Sequence, residues 1–113
     1  MVENFRNFEV RDPFGETWRV DFLWLQTAVS IRHSDSIDVK FALASGDAKT
    51  TKVIALLHPD LLKLSEKAGR PITDPWVSRL AAEHLKRVIS TGQDMEKELI
   101  TAPLAELEQY AAG

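Results

Sequence analysis

The chain contains no cysteine, and this absence excludes a disulfide framework, a thiol nucleophile and thiolate metal ligands. Glycine is scarce, with five residues and no spaced cluster, so the sequence lacks a glycine-rich phosphate-binding loop. The longest uncharged run, Phe22–Ile31, has ten residues, about half the length that a membrane-spanning helix needs. The first ten residues include Glu3, Arg6 and Glu9 and carry no signal-peptide pattern. We therefore expect a soluble cytoplasmic protein with no membrane partner.

The chain has 113 residues, a length that suits one domain spanning 1–113. Hydrophobic residues make up 44% and charged residues 27%, which is typical of a globular domain and argues against disorder. The 14 basic and 17 acidic residues give a net charge of −3, which removes the general electrostatic attraction to nucleic acid. We therefore do not expect nucleic acid to be the main partner.

The first half of the chain is rich in aromatic and β-branched residues, which favour strands. Apolar and polar residues alternate around Phe8 and Val10, along Trp18–Trp24 and, most regularly, along Ile37–Leu43. Lys52–Leu57 follows as a further apolar segment. Because the connections are short, neighbouring strands should pair antiparallel, and we expect them between about residues 7 and 57.

Turn residues separate these segments at Asp12–Gly15, Ser34–Ser36 and Ser45–Lys49. The alternation changes phase before Val29, which predicts an irregularity at Leu25–Thr27. A turn and a β-bulge both explain this change, and the sequence leaves the two open.

Helices are expected between about residues 59 and 111. Pro59 suits the first position of a helix that Gly69 ends, and Asp74 is the predicted N-cap of the main helix, which reaches Thr91 before Gly92. One or two helical turns over residues 94–99 and a short helix over residues 103–111 follow. The sequence thus predicts an α+β domain: an antiparallel meander of four to five strands, then two main helices and a short C-terminal helix packed on one sheet face.

The main helix carries an apolar stripe that includes Leu80 and His84. We expect this stripe to pack on the sheet face formed by Trp18–Trp24 and Val39–Leu43. A ligand pocket between sheet and helices is an alternative at this place. Its candidate lining residues are Trp18, Trp24, Trp76 and His84.

The histidines His33, His58 and His84 are the most plausible catalytic or metal-binding groups, yet no two of them have the four-residue spacing of a helical metal site. No serine lies in a nucleophile motif. Structural roles are therefore favoured for all three histidines. We expect no enzyme activity, no cofactor, no catalytic residue and no metal site.

Apolar residues also occur where the outer sheet face should be polar. The candidate interface residues are Leu23, Leu25, Ile54 and Leu56. A second copy of the chain, a small ligand, the N-terminal Phe5 and Phe8, or the C-terminal segment would cover them. The chief rival to a second copy is the set of C-terminal apolar residues Leu99, Ile100, Leu104 and Leu107. The sequence favours a homodimer.

These patterns favour a non-catalytic protein that acts through self-association or a protein partner. Two alternatives stay open: a small apolar-ligand binder with its pocket beside His84, and a weak nucleic-acid binder that uses the basic helical face of residues 63–87.

Overall fold

A computed structural model describes residues 5–28, 35–93 and 95–112 of the chain. It has an α+β architecture with a five-stranded sheet, as the sequence predicted. In chain order the elements are β1 (Asn7–Arg11), β2 (Thr17–Ala28), β3 (Ser36–Ser45), β4 (Ala48–Leu57), α1 (His58–Ala68), α2 (Asp74–Thr91), β5 (Leu99–Thr101) and α3 (Leu104–Ala112).

The sheet follows the chain, in the order β1-β2-β3-β4-β5. The first four strands form the expected antiparallel meander, but β5 pairs with β4 in parallel, from Val53 opposite Leu99 to Ala55 opposite Thr101. A fully antiparallel sheet is therefore wrong, because the chain crosses over through α1 and α2 before it returns to the edge of β4. The helical turns expected over residues 94–99 are also wrong: Leu99 begins β5, and residue 94 lies outside the described residues.

A β-bulge at Leu23 sets which side chains of β2 face the helices. Phe22 pairs with Phe41 and Trp24 with Lys40, so β2 has one extra residue at this point. Beyond the bulge β2 continues through Leu25–Thr27, where the sequence had predicted the irregularity. Residues 29–34 lie outside the described residues, so Ser34 of the predicted Ser34–Ser36 turn is not described; Asp35 precedes β3, and Ser36 begins it.

The two main helices begin and end close to the predicted residues. Gly69 and Gly92 take left-handed backbone conformations, with φ of 66° and 74°, which end α1 and α2. The N-cap of α2 is Thr73, not Asp74: the Thr73 side chain accepts a hydrogen bond from the Trp76 backbone N–H at 3.4 Å. Asp74 instead lies in the first turn, where its charge favours the positive end of the helix dipole.

The core lies between one face of the sheet and the helices. On the sheet, Val39, Phe41 and Leu43 are at most 1% exposed, as predicted for the face that receives α2. Trp18 and Phe22 pack at the margin of this core. The expectation that Trp24 shares this face is wrong, because the bulge at Leu23 turns Trp24 to the opposite side. The fully buried helix residues are Leu61, Leu80, Ala81, Ala82, Leu85, Ile89 and Leu107.

Placing a carboxylate in this core should unfold the protein. Leu80 is 0% exposed at the centre of the α2 stripe, so Leu80→Asp buries an unpaired charge and costs several kcal/mol of a stability of about 5–15 kcal/mol. Leu62 on α1 is 53% exposed, and Leu62→Asp is the matched control, expected within about 0.5 kcal/mol of the parent. Urea denaturation followed by circular dichroism measures both. Equal stability of the two variants would contradict the burial of Leu80 between α2 and the sheet.

Candidate interaction surface

The sheet face opposite the helices, called here the outer face, carries an apolar ridge. The ridge runs across four strands where Trp24, Lys40, Val53 and Leu99 pair in turn. Leu99 is 60% exposed, and the bulged Leu23 beside Trp24 is 47% exposed. Leucines of this exposure, next to a half-buried tryptophan and valine, form an apolar surface that no described element covers.

A shallow hollow lies beside the ridge on the same face. Its volume is about 480 Å³. The side chains of Ala42 and Ala44 form its floor, and the hollow exists because these side chains are small. The outer-face side chains that line this outer hollow are Asp21, Ala42, Ala44, Lys49 and Thr51, with Glu98 from the loop before β5. One face thus presents both a protruding apolar ridge and a recess.

Charges of both signs surround the ridge and the hollow. The strand register places the acidic residues Glu9, Asp21 and Asp38 on the outer face, together with the basic residues Arg11, Arg19, Lys40 and Lys49. This near-balance leaves no strong field of one sign to repel an identical surface.

Three of the four predicted interface residues do not lie on this face. Ile54 and Leu56 are 0% exposed in the core, and Leu25 pairs with Val39 and packs against the same core. The predicted placement of these three is wrong, and only Leu23 is exposed on the outer face. Leu25 turns inward because of the bulge at Leu23. Ile54 and Leu56 belong to Val53–Leu57, which has no polar alternation, so pairing with β3 decides which of its residues face the core.

The C-terminal segment does not cover the outer face within the described residues. Ile100 and Leu107 are at most 2% exposed in the core, and α3 packs on α1 and α2. Leu104 is half-buried in α3, while Leu99 points away from the helices and belongs to the ridge. The homodimer stays a prediction, and the outer face is the surface that it would use.

The four candidate pocket residues are not brought together. The Trp18 indole donates a hydrogen bond to Asp12 Oδ2 at 3.1 Å beside the first hairpin, and Trp24 is on the outer face. Trp76 and His84 line different cavities along α2. The Trp76 indole N–H is buried and has no hydrogen-bond partner among the described residues.

His84 belongs instead to a polar cluster between α2 and α3. Its Nδ1 lies 2.9 Å from the Tyr110 hydroxyl oxygen and 3.3 Å from Glu106 Oε2, and the Arg87 Nε lies 3.1 Å from Glu106 Oε1. Burial and the negative charge of Glu106 raise the pKa of Tyr110 to about 12. The histidine is 4% exposed and the cavity beside it holds about 60 Å³, so the cluster fixes α3 to α2 and leaves little room for a ligand.

Sequence reasoning missed the partners of His84. Glu106 and Tyr110 are four residues apart on α3, a spacing that places both on one side of a helix. That spacing is a usable signal, but nothing in the sequence pairs α3 with the third turn of α2.

Lys52 is a second buried polar group that the sequence did not reveal. It is 4% exposed, and its Nζ donates hydrogen bonds to the Met95 carbonyl and, at 2.6 Å, to the Lys97 carbonyl. Burial lowers the Lys52 pKa, and the nearby charges of Glu96 and Glu98 oppose that shift. Lys52 therefore anchors the segment that leads into β5.

Within residues 5–28, 35–93 and 95–112, no three histidine, aspartate or glutamate side chains converge to hold a metal ion. None of the described helices is long and apolar enough to cross a membrane. Comparison with protein-family models, with curated proteins and with solved structures finds no significant match.

The raised pKa of Tyr110 predicts a loss of stability at high pH. In the unfolded chain the phenol ionises near 10.0, but in the folded chain only near 12, so the contribution is complete below pH 10 and is lost as the pH rises towards 12. Tyr110 is the single tyrosine, so the ultraviolet absorbance of its phenolate reports this group alone. Tyr110→Phe should lack this part of the pH dependence of unfolding. A phenolate titration centred at 10.0 in the folded protein would contradict the buried cluster.

Proposed function

We propose that this protein is a non-catalytic domain that acts by self-association, as a homodimer joined through the outer face. The observation that carries the proposal is the apolar ridge, with Leu99 60% and Leu23 47% exposed and no described element packed on it. Burying such a surface is favourable, at about 25 cal/mol per Å² of apolar area.

A second copy is the partner that this face fits. In a two-fold dimer the same patch meets itself, so every protrusion needs a recess on the same face. The ridge of Trp24 and Leu99 supplies the protrusion, and the outer hollow above Ala42 supplies the recess. The mixed charges around them favour a copy over a strongly acidic or basic partner.

The alternative functions receive less support. The inner core is filled by fully buried residues such as Phe41 and Leu80, and the cavity beside His84 is about 60 Å³, which is small for an apolar ligand. On the basic helical face, Lys67 pairs with Glu108 at 3.3 Å and Arg87 with Glu106 at 3.1 Å, which lowers the positive charge available to nucleic acid. A cytoplasmic location is part of the proposal and rests on the sequence pattern alone.

A carboxylate on the ridge should separate the two copies without unfolding either. Sedimentation equilibrium of the parent at high micromolar concentration should give about twice 12.7 kDa. Leu99→Glu should give a folded monomer, because the exposed side chain carries the new charge while the backbone pairing of β5 is kept.

The matched control is Leu62→Glu, an equally exposed leucine in α1 that should leave the dimer intact. Circular dichroism checks that both variants are folded. A parent that sediments near 12.7 kDa at the highest concentration would overturn the proposed function.

A further inference from the structure

We infer that Lys40 limits the strength of this self-association, so that removing its charge tightens the dimer. This inference rests on the proposed function and identifies Lys40 as a residue that sets the affinity of the dimer. Lys40 lies in the middle of the apolar ridge, between Trp24 on β2 and Val53 on β4.

The surroundings of Lys40 offer its ammonium group little compensation. Its Nζ lies 5.7 Å from the centre of the Trp24 ring, an attraction between a cation and an aromatic face. Lys40 forms no ion pair with any residue in the described part of the chain. Any partner that covers the ridge therefore removes water from this charge, and such desolvation is costly unless an acidic group replaces the water.

The symmetry of the dimer increases this cost. A two-fold axis that exchanges the ridge with the outer hollow passes between Lys40 in the ridge and Ala42 in the hollow. Both residues lie on β3, the central strand, so the axis brings the two Lys40 side chains of the dimer close together. Like charges at short range oppose association, and salt weakens that opposition.

The acidic residues nearest on the outer face already have partners in their own chain. The Asp38 carboxylate accepts a hydrogen bond from the Ser36 hydroxyl at 2.9 Å. Asp21 accepts one from the Asn7 side chain and lies 4.0 Å from the Arg19 guanidinium. These contacts compete with any pairing to the other copy's Lys40.

The test compares the dimer dissociation constants of the parent, Lys40→Met, Lys40→Arg and Lys63→Met by sedimentation equilibrium. Lys40→Met should lower the constant about tenfold, because it keeps the apolar stem and removes the charge. Lys40→Arg keeps the charge and should stay near the parent. Lys63→Met makes the same change of net charge on the exposed side of α1, away from the outer face, and should have no effect.

Salt supplies a second readout that a purely structural effect of the substitution would not change. The parent dimer should tighten from low to high sodium chloride, whereas Lys40→Met should respond much less. Thermal unfolding at low protein concentration checks that Lys40→Met does not alter the fold of the single chain.

The outcomes separate the two proposals. If both the parent and Lys40→Met stay monomeric, self-association itself is overturned. If the parent is a dimer and Lys40→Met is equal or weaker, the dimer stands and the role of Lys40 is overturned. A monomeric parent that becomes a dimer on Lys40→Met overturns self-association as the function of the parent, but supports the role of Lys40 in opposing it.

Discussion

The helices α1 and α2 pack on one face of the sheet, and α3 packs on these two helices. The other features of the molecule depend on this arrangement. The residues of the central strand β3 that face the helices pack against α2, and both Phe41 on β3 and Leu80 on α2 are 0% exposed. Because α3 then packs on α1 and α2, no described element is left for the opposite face. An antiparallel sheet tolerates one face in water when that face is polar. Here the ridge is apolar, and this mismatch is the reason to look for a partner.

One inserted residue decides which side chain of β2 joins the ridge. Without the bulge at Leu23, the alternation of β2 would direct Trp24 and Leu25 to the opposite sides from those they occupy. The bulge places Leu25 opposite Val39 in the core and moves Trp24 to the outer face, next to Lys40. Bulges re-aim side chains at the cost of a local break in the ladder. In this protein the re-aimed side chain is the largest in the ridge.

The helices were predictable from sequence because their signals are local. The helix starts are marked by Pro59 and Asp74 and the helix ends by Gly69 and Gly92, and α2 spans the predicted residues. The N-cap was misplaced by one residue because threonine and aspartate both cap helices, and Pro75 suits either of the first two helical positions.

The sheet details were less predictable because they depend on distant pairing. An apolar run such as Val53–Leu57 carries no phase of its own, and its register is imposed by β3. The three-residue strand β5 has too few residues for a two-residue period, and its parallel pairing with β4 depends on the crossover through α1 and α2. The sequence therefore predicted that an apolar outer face exists, but of the four residues assigned to it only Leu23 lies there.

Lys40 on β3 and Lys52 on β4 show what burial requires of a charge. Lys52 on β4 points inward, and two carbonyl oxygens beyond the end of α2 accept its hydrogen bonds. Lys40 on β3 points outward, and its neighbour is the Trp24 ring. A buried ammonium is stable when acceptors replace its lost water, as they do around Lys52. No acceptor in the described part of the chain plays this role for Lys40, so its free energy depends on water and on whatever covers the ridge. The positive charge of Lys40 is thus stable on an exposed outer face and opposes burial of the ridge in a dimer.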